Sequence, residues 1–429
     1  MGKLGDTLDS AVGLLDMLKK PPGSDPRYRG VAPDRTDMSF VRYDPTIGKG
    51  RGISTRMQNS LGALTEANNP MRQEILQNIE NGLEVGEDWY NTEELRDWFI
   101  MGHGPEEGHR QWAEYIDLVG ATSPRSKVPP NIGNASAVRN RLYTDPDYIS
   151  ELQNVKSSDD AGKLAKTRPP GYGHLAGRNQ EMIVADQVQG GWSGAPEPGV
   201  LGAKGNYTVN PKPKGFAQSL KGSEKNFAAD MHFTRFIAMA SKDPDWLQTG
   251  ADVAASFKNE LLAKFPDAAP YFGKRMAGKK EIDTFKPQKA VKDGVIKMDD
   301  IADYPGVFVE MPNDNEYKAF EDFMYSVGQE LGLTGPQAQA ALWMGAARKT
   351  KVDPTSQTTF MGAVRDRADI KAKQLGTTRE QVLFDFVMNK GLLAAPVAAP
   401  LGVMGLAGNN QAQANPMQNE LMQYLEANQ

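Results

Sequence analysis

Apolar residues recur at helical spacing at the beginning of this chain. They fall on one face of a short amphipathic helix, at Leu4, Leu8, Val12, Leu15 and Leu18. We expect this helix either to pack on its own domain or to bind a partner protein, and both alternatives remain open. A membrane surface is disfavoured because the helix carries three aspartates.

The region up to residue 142 continues this helical pattern. Apolar periodicity predicts helices over residues 70–81 and 105–119. Thr92 is followed by two glutamates, a pattern typical of a helix N-cap and first turn. The sequence therefore predicts a further helix between these two, with Thr92 as its cap.

A proline-rich corner follows. Three prolines within seven residues are expected to end the preceding helix, and Asn131 is expected to cap the next one, over residues 132–142. A helix N-terminus beside basic side chains is suited to bind phosphate, which makes Arg125, Lys127 and Arg139 candidate nucleic-acid contacts. A plain helix–loop–helix corner is the alternative.

Two long stretches lack a regular pattern. Residues 21–56 are rich in proline and arginine, and residues 156–212 are interrupted by glycine and proline. The second stretch is longer than the ~15 residues of an ordinary loop, so it is expected to be a functional lid or a disordered insertion. Its glycine-rich segment at 202–205 lacks the Gly-Lys-Ser/Thr ending that a nucleotide-binding loop requires.

Helical spacing returns in the C-terminal half. One helix is expected to run from Asp243 to about Phe265, and further helices are predicted over residues 315–331, 338–348, 360–375 and 382–388. A capping box at Thr334 and Gln337 opens the second of these four, and overlapping boxes from Thr377 to Glu380 and from Thr378 to Gln381 open the last. Together the four are expected to form a C-terminal helical bundle.

The last 39 residues have a different composition. Residues 391–408 carry no charge and contain two prolines and four glycines. An Ala/Pro/Gly tether is one interpretation, and a membrane-active segment exposed on ejection from a virion is the other. A short helix near the end is expected to act as a docking peptide.

Composition narrows the chemistry. The 429 residues include no cysteine and four histidines, which excludes disulfide scaffolds, thiolate metal sites and cysteine nucleophiles. We therefore predict no metal site and no cofactor. The net charge of −5 conceals local blocks: residues 274–297 carry a net +5 and residues 299–323 a net −7. These blocks are expected to pair with each other, to face solvent, or, for the basic one, to bind DNA.

The most informative block of charge lies between residues 204 and 225. It has five lysines and one glutamate, and its candidate phosphate contacts are Lys212, Lys214, Lys221 and Lys225. A short helix is predicted from Gly215 to Leu220, and a second is predicted to begin near Asp230 as its N-cap.

This stretch resembles the helix-hairpin-helix DNA glycosylase superfamily, through a lysine that opens a hairpin helix and a later Asp-x-His-x-x-Arg segment. The resemblance implies that Asp230 assists displacement of a base and that Lys214 attacks the sugar as a Schiff-base nucleophile, while His232 and Arg235 are structural. The superfamily's Leu-Pro-Gly-x-Gly hairpin is absent, and there are no cysteines for its common cluster.

The order of several segments is also similar to that of phage-encoded helical proteins distantly related to that fold. The shared segments are Trp89-Tyr90, Ser123-Pro124 with Asn131 and Ala135, Lys214-Gly215-Phe216, and Asp230-x-His232-x-x-Arg235. The resemblance covers residues 88–245. It implies a phage or prophage source and a helical fold, and Leu342-Trp343 matches a packing segment of the same proteins.

The predicted fold is mainly α: a glycosylase-like helical domain with long irregular loops, plus a C-terminal helical bundle. Four contiguous segments are predicted: an N-terminal helix and arm (1–56), the helical domain (57–265), a charged linker with the bundle (266–390), and a tether with a terminal helix (391–429).

Three functions follow as hypotheses. The first is an internal virion or DNA-associated structural protein without catalysis, whose terminal helices contact other phage proteins. The second is a DNA glycosylase or lyase acting on modified or damaged bases. The third is a non-catalytic DNA-binding factor that acts in host takeover. The expected location is the virion or the host cytoplasm.

Overall fold

The computed structural model confirms that the protein is mainly helical. Its described residues also form a small three-stranded β-sheet, which was not predicted. The residues that the structure describes are 14, 18, 55–64, 69–123, 126–167, 181–185, 188, 211–229, 231–301, 309, 310, 312, 314–350, 358–389, 391 and 393.

The helices of the first half follow the chain closely. In chain order they are α1 (Thr55–Leu64), α2 (Pro70–Gly86), α3 (Glu93–His103), α4 (Pro105–Thr122), α5 (Val128–Thr144), α6 (Pro146–Gln153), α7 (Ser158–Lys166), α8 (Pro211–Leu220) and α9 (Met231–Ser241).

The second half adds the sheet and further helices. In chain order the elements are β1 (Ala251–Val253), α10 (Ala255–Lys264), β2 (Phe272–Ala277), β3 (Lys280–Phe285), α11 (Pro287–Lys292), α12 (Met298–Ile301), α13 (Asp314–Leu331), α14 (Gly335–Thr350), α15 (Phe360–Leu375) and α16 (Arg379–Asn389). Single 3₁₀ turns lie at Pro244–Trp246 and Pro266–Tyr271.

Contacts divide the chain into two compact units that are each discontinuous in sequence. The first unit contains α3 to α7, α15 and α16, and the second contains α1, α2, α8 to α14 and the sheet. The sequence prediction divided the chain into contiguous segments instead. The four helices of the predicted C-terminal bundle fall into different units, α13 and α14 in the second and α15 and α16 in the first.

The sheet occupies a region for which a single helix was predicted. Only a 3₁₀ turn follows Asp243, and the chain then forms β1 before α10 begins at Ala255. The side chain of Trp246 explains the interruption: it is fully buried, stacks on Phe320, and donates from Nε1 to Ser60 Oγ at 2.8 Å. Those partners are far away in sequence, so local periodicity does not report them.

The proline-rich corner is also shorter than predicted. Helix α5 begins at Val128, four residues before the predicted start, and Lys127 rather than Asn131 is its N-cap residue. Pro129 and Pro130 lie in the first turn of α5, where a missing backbone N–H costs no helical hydrogen bond. The prolines therefore open a helix here as well as ending one.

Several predicted helix ends are confirmed. The backbone N–H of Thr334 donates to Gln337 Oε1 at 2.9 Å, and the N–H of Gln337 donates back to Thr334 Oγ1 at 3.3 Å, which is a reciprocal capping box. Helix α15 ends before Gly376, whose φ of 67° favours glycine. Thr92 precedes α3 as predicted, but its side chain makes no capping hydrogen bond.

The irregular stretch over residues 156–212 contains more helix than predicted. Helix α7 lies within it, and the N–H of Asp160 donates to the Ser157 side chain at its beginning. Residues 181–185 are also helical. The glycine-rich segment at 202–205 lies outside the described residues, as does the proline- and arginine-rich arm at 21–54.

Parts of both chain ends contact the first unit. Leu14 and Leu18 are fully buried, and the Leu18 carbonyl accepts from Arg365 at 3.4 Å, as expected of a helix that packs on its own domain. After α16, the N–H of Leu393 donates to Ser136 Oγ at 2.7 Å. Residues 394–429, including most of the uncharged segment, lie outside the described residues. Among the described residues, no helix is long and apolar enough to cross a membrane.

Candidate nucleic-acid interface

Helices α8 and α9 flank a connecting segment at the cationic stretch, residues 221–229, and the turn at the end of α8 has a defined geometry. We call the two helices with this segment the α8–α9 hairpin. Gly222 has a φ of 87°, its N–H donates to the Ser219 carbonyl, and the N–H of Ser223 donates to the Gln218 carbonyl, both at 3.0 Å. This pair of hydrogen bonds is a Schellman motif, which ends a helix with glycine in the left-handed region. Gly222 is exposed at the outside of the turn.

Hydrogen bonds and close packing connect the segment after the turn to α8 and to α13. The Tyr317 hydroxyl donates to the Phe227 carbonyl at 2.6 Å and accepts from the N–H of Ala229 at 2.8 Å. Gly215 allows the two arms to approach closely, since a Cβ there would lie 2.2 Å from the Phe227 carbonyl oxygen. Ser219 Oγ lies 2.6 Å from the Gly215 carbonyl oxygen. These contacts fix the turn relative to the helices that carry it.

Three of the four predicted lysines have described side chains. Lys212 and Lys221, at the beginning and end of α8, are partly exposed. Lys225 lies in the turn, and its ammonium group pairs with Asp322. The turn amides of Gly222 and Ser223 already bind helix carbonyls, so phosphate contact here depends on ammonium groups and not on these amides.

The aromatic segments singled out in the sequence meet beside α8. Trp89 lies 4.7 Å from Tyr90, 6.1 Å from Phe216 and 6.0 Å from Trp343, measured between ring centroids. The Tyr90 hydroxyl donates to Gln339 Oε1 at 2.8 Å. Trp89 and Tyr90 are buried, so this cluster packs the base of the hairpin within the second unit.

The Ser123–Asn131 corner belongs to the first unit instead. The Asn131 side chain donates to the Val119 carbonyl at 2.8 Å and accepts from Thr122 Oγ1 at 2.6 Å, which ties the end of α4 to the beginning of α5. Ser123 is buried, and its Oγ has no hydrogen-bond partner among the described residues. The Ser123 corner and the cationic hairpin are therefore parts of different units.

Arg139 is not a surface cation, contrary to its predicted role. Its side chain is fully buried between Phe99 and Phe386, at 4.8 and 5.3 Å from the ring centroids. The guanidinium donates to the Phe386 carbonyl and to Gln111 Oε1, both at 2.7 Å. Burial lowers its pKa to about 10, so it remains charged at neutral pH as a structural ion.

The remaining predicted residues are only partly described. Lys127 is exposed at the start of α5. Arg235 is buried in α9, and burial lowers the pKa of its guanidinium. Asp230, Pro124 and Arg125 lie outside the described residues, and so do the side chains of Lys214 and His232. The proposed roles of Asp230 and Lys214 in base chemistry therefore stay predictions.

The sequence did not lead us to predict a network of ionisable groups in the first unit. Arg110 donates to both carboxylate oxygens of Glu107, at 2.6 and 2.7 Å, and to Glu114 at 3.0 Å, while the Tyr143 hydroxyl donates to Glu114 at 2.9 Å. The hydrogen bonds from Arg110 hold the pKa of Glu107 at about 2, and burial raises the pKa of Glu114. The spacing of Glu107, Arg110 and Glu114 on one helix was the available signal.

In the described ion pairs, the basic block (274–297) and the acidic block (299–323) do not pair with each other. Within the basic block, Lys274 pairs with Glu281, and Arg275 reaches Asp252. Within the acidic block, Asp299 and Asp300 pair with Lys242 and Lys264. These ion pairs therefore do not show the mutual pairing that was one of the predicted alternatives for the two blocks.

Comparison of this chain with protein-family models, with curated proteins and with solved structures gave no match. No group of three histidine, aspartate or glutamate side chains in the described part of the chain is arranged to hold a metal ion. The geometry of the hairpin and the sequence resemblances are therefore the observations that bear on function.

Proposed function

We propose that this chain is a DNA-associated structural protein of a phage particle, and that it contacts DNA through the α8–α9 hairpin without base chemistry. The observation that carries the proposal is the rigid turn around Gly222, which has Lys221 at one side and Lys225 at the other. Backbone phosphates are the partner that such a pair of ammonium groups suits, and they are contacted whatever the base sequence.

The ion pair of Lys225 does not prevent this contact. Its side chain is 44% exposed, and partly exposed ion pairs contribute little to stability. An ammonium group has three N–H donors, so Lys225 can donate to a phosphate while it keeps its contact with the mostly buried Asp322. Lys212, at the other end of α8, extends the cationic surface along the backbone of the nucleic acid.

Charge reversal tests the hairpin directly. The double variant Lys212→Glu/Lys221→Glu is expected to weaken binding of the full chain to a 20-base-pair duplex by about tenfold or more at low salt. The matched control is Lys163→Glu/Lys166→Glu, which changes the net charge equally at exposed positions of α7. Equal losses in both variants, measured by fluorescence anisotropy, would contradict a localised interface.

A second experiment separates binding from chemistry. We expect no covalent complex when the protein is incubated with abasic DNA and borohydride, because the proposal includes no Schiff-base step. A trapped complex that disappears in Lys214→Ala would replace the proposal with the lyase alternative.

The phage source in the proposal comes from the sequence resemblance over residues 88–245. Mass spectrometry of purified particles from the source phage is expected to detect the chain. Its absence from particles that contain the other structural proteins would remove the virion part of the proposal and leave the DNA-binding part standing.

A further inference from the structure

Strands β2 and β3 form a two-stranded ribbon, residues 272–285, whose far end is exposed. They pair antiparallel from Phe272–Phe285 to Ala277–Lys280, with Gly278 and Lys279 as the two-residue turn. Gly278 has a φ of 64°, which suits the first central position of a type II′ hairpin turn. The ribbon extends ~17 Å from Phe272 to its turn.

The base of the ribbon is firmly anchored in the second unit. Phe285 is fully buried and stacks on Phe272 at 4.6 Å between ring centroids. Asp283 accepts from Lys258 Nζ at 3.0 Å, and β1 pairs with the outer side of β3. The exposed half is therefore a projection from a packed base.

The exposed half is strongly basic. Residues 274–281 contain four basic side chains and one acidic one. Lys274 and Arg275 are already engaged by Glu281 and Asp252. Lys279 and Lys280, at the turn, are exposed and form no ion pair with any residue that the structure describes. The cations available to a ligand are thus concentrated at the end of the ribbon.

A large apolar side chain lies near the end of the ribbon, directly opposite Glu281, whose carboxylate accepts from Lys274. Met276 is 61% exposed, the same fraction as Leu375 and the highest among the exposed large apolar side chains of the described residues. A methionine exposed beside this neutralised ion pair is suited to contact base edges or to wedge between base steps.

We propose that the β2–β3 ribbon is a second DNA-binding element, which enters a groove of duplex DNA with Lys279 and Lys280 on the phosphates and Met276 against the bases. This inference rests on the proposed DNA-binding function and assigns it a second site. A two-stranded ribbon has the width that a DNA groove accepts, and the net charge of the ribbon end is complementary to the two phosphate backbones that line the groove.

A protein strand added to the free edge of β2 is the alternative occupant. The sequence of β2 disfavours it, because adjacent cations at Lys274 and Arg275 are a feature that protects edge strands from pairing with another chain. Duplex DNA, in contrast, is attracted by the net positive charge of residues 274–281. The charge of the edge therefore decides between the two partners.

The test uses the full chain and a 20-base-pair duplex, with affinity measured over a series of salt concentrations. Lys279→Glu/Lys280→Glu is expected to weaken binding about tenfold or more at low salt and to reduce the slope of log K against log salt by about two. Met276→Ala is expected to weaken binding severalfold with an unchanged slope, since it removes an apolar contact and no phosphate contact. Lys163→Glu/Lys166→Glu is the matched control.

The outcomes separate this inference from the proposed function. If Lys212→Glu/Lys221→Glu weakens binding and both ribbon variants bind like the control, the ribbon inference is overturned, a strand partner becomes the better account of the edge, and the proposed function stands. If the unaltered protein does not bind the duplex, both are overturned. Lys279→Gln/Lys280→Gln, with thermal unfolding measured beside it, shows that any loss comes from charge and not from misfolding.

Discussion

At the scale of single residues, buried arginines connect several helices of the first unit. Arg139 satisfies acceptors on α4 and α16, and Arg365 pairs with Glu94 and lies 5.1 Å from the ring of Trp98. A buried arginine of this kind is indistinguishable from a surface cation in the sequence. Its aromatic neighbours come from segments up to 247 residues away, which explains why Arg139 was predicted as a phosphate contact.

Glu114 should make stability depend on pH. Burial raises its pKa above the ordinary 4.5, so the folded state holds the proton more tightly than the unfolded chain does. The free energy of unfolding should therefore fall as the pH rises from 4.5 through the raised pKa. Glu114→Gln should lack this fall, so its stability relative to the unaltered protein, measured by urea denaturation, should rise over that window.

Glu107→Gln is the control with the opposite sign. The pKa of Glu107 is about 2, so the unaltered protein gains stability as the pH rises from 2 to 4.5, and the variant should not. Parallel curves for Glu114→Gln and the unaltered protein at all pH values would show that the burial of Glu114 is not coupled to folding.

At the scale of elements, the sequence predicts a helix end well where the signal is local. Helix α15 and the boxes at Thr334 and Thr378 match their predictions, whereas α5 begins four residues before its predicted start. The sheet was not predicted: its three strands are short, and β1 pairs with β3 through residues 30 to 34 positions apart. Helices were predicted at α8 and α9, but the start of α8 at Pro211 and its Schellman turn were not.

The overlapping capping boxes give a matched pair of variants. The N–H of Gln381 donates to Thr378 Oγ1 at 3.2 Å, so Thr378 caps α16. Thr378→Ala should lower the free energy of unfolding by about 1 kcal/mol. Thr377→Ala, one residue earlier and exposed, should change it by less than about 0.5 kcal/mol. Equal effects in denaturant titrations would show that the box is not specific to Thr378.

The packing of α2 against α14 depends on small residues. A Cβ at Gly82 would lie 2.0 Å from the Ala341 carbonyl oxygen, and one at Gly345 would lie 1.8 Å from the Asn78 carbonyl oxygen. Gly82→Ala and Gly345→Ala should each destabilise the second unit by at least about 2 kcal/mol, because backbone must move. Gly62→Ala has open space in α1 and should be neutral or stabilising by up to about 1 kcal/mol. Similar unfolding midpoints for all three would contradict this packing.

The arrangement of the whole molecule was the least predictable from sequence. Each unit is assembled from segments separated by more than a hundred residues, and a reading along the chain favours contiguous domains. The order of the segments shared with phage-encoded helical proteins also does not predict this division. Trp89 and Phe216 lie close together in the second unit, while Ser123 and Asn131 lie in the first.

Truncation should reveal the discontinuous units. A chain ending at Thr359 lacks α15 and α16, which supply Arg365 and Phe386 to the first unit. Hydrogen exchange should show lost protection in α4 and α5, while α2 and α14 of the second unit remain protected. Retained protection in α4 and α5 would contradict the division, and so would its loss in all four helices.

The proposed function depends on the binding of DNA through localised cations. The most direct test measures the affinity of the full chain for a duplex from low to physiological salt. We expect log K to fall linearly with log salt, with a slope of about −0.9 for each phosphate contacted, and we expect Lys212→Glu/Lys221→Glu to reduce that slope by about two. No binding at low salt, or an affinity that does not change with salt, would contradict DNA binding through these cations.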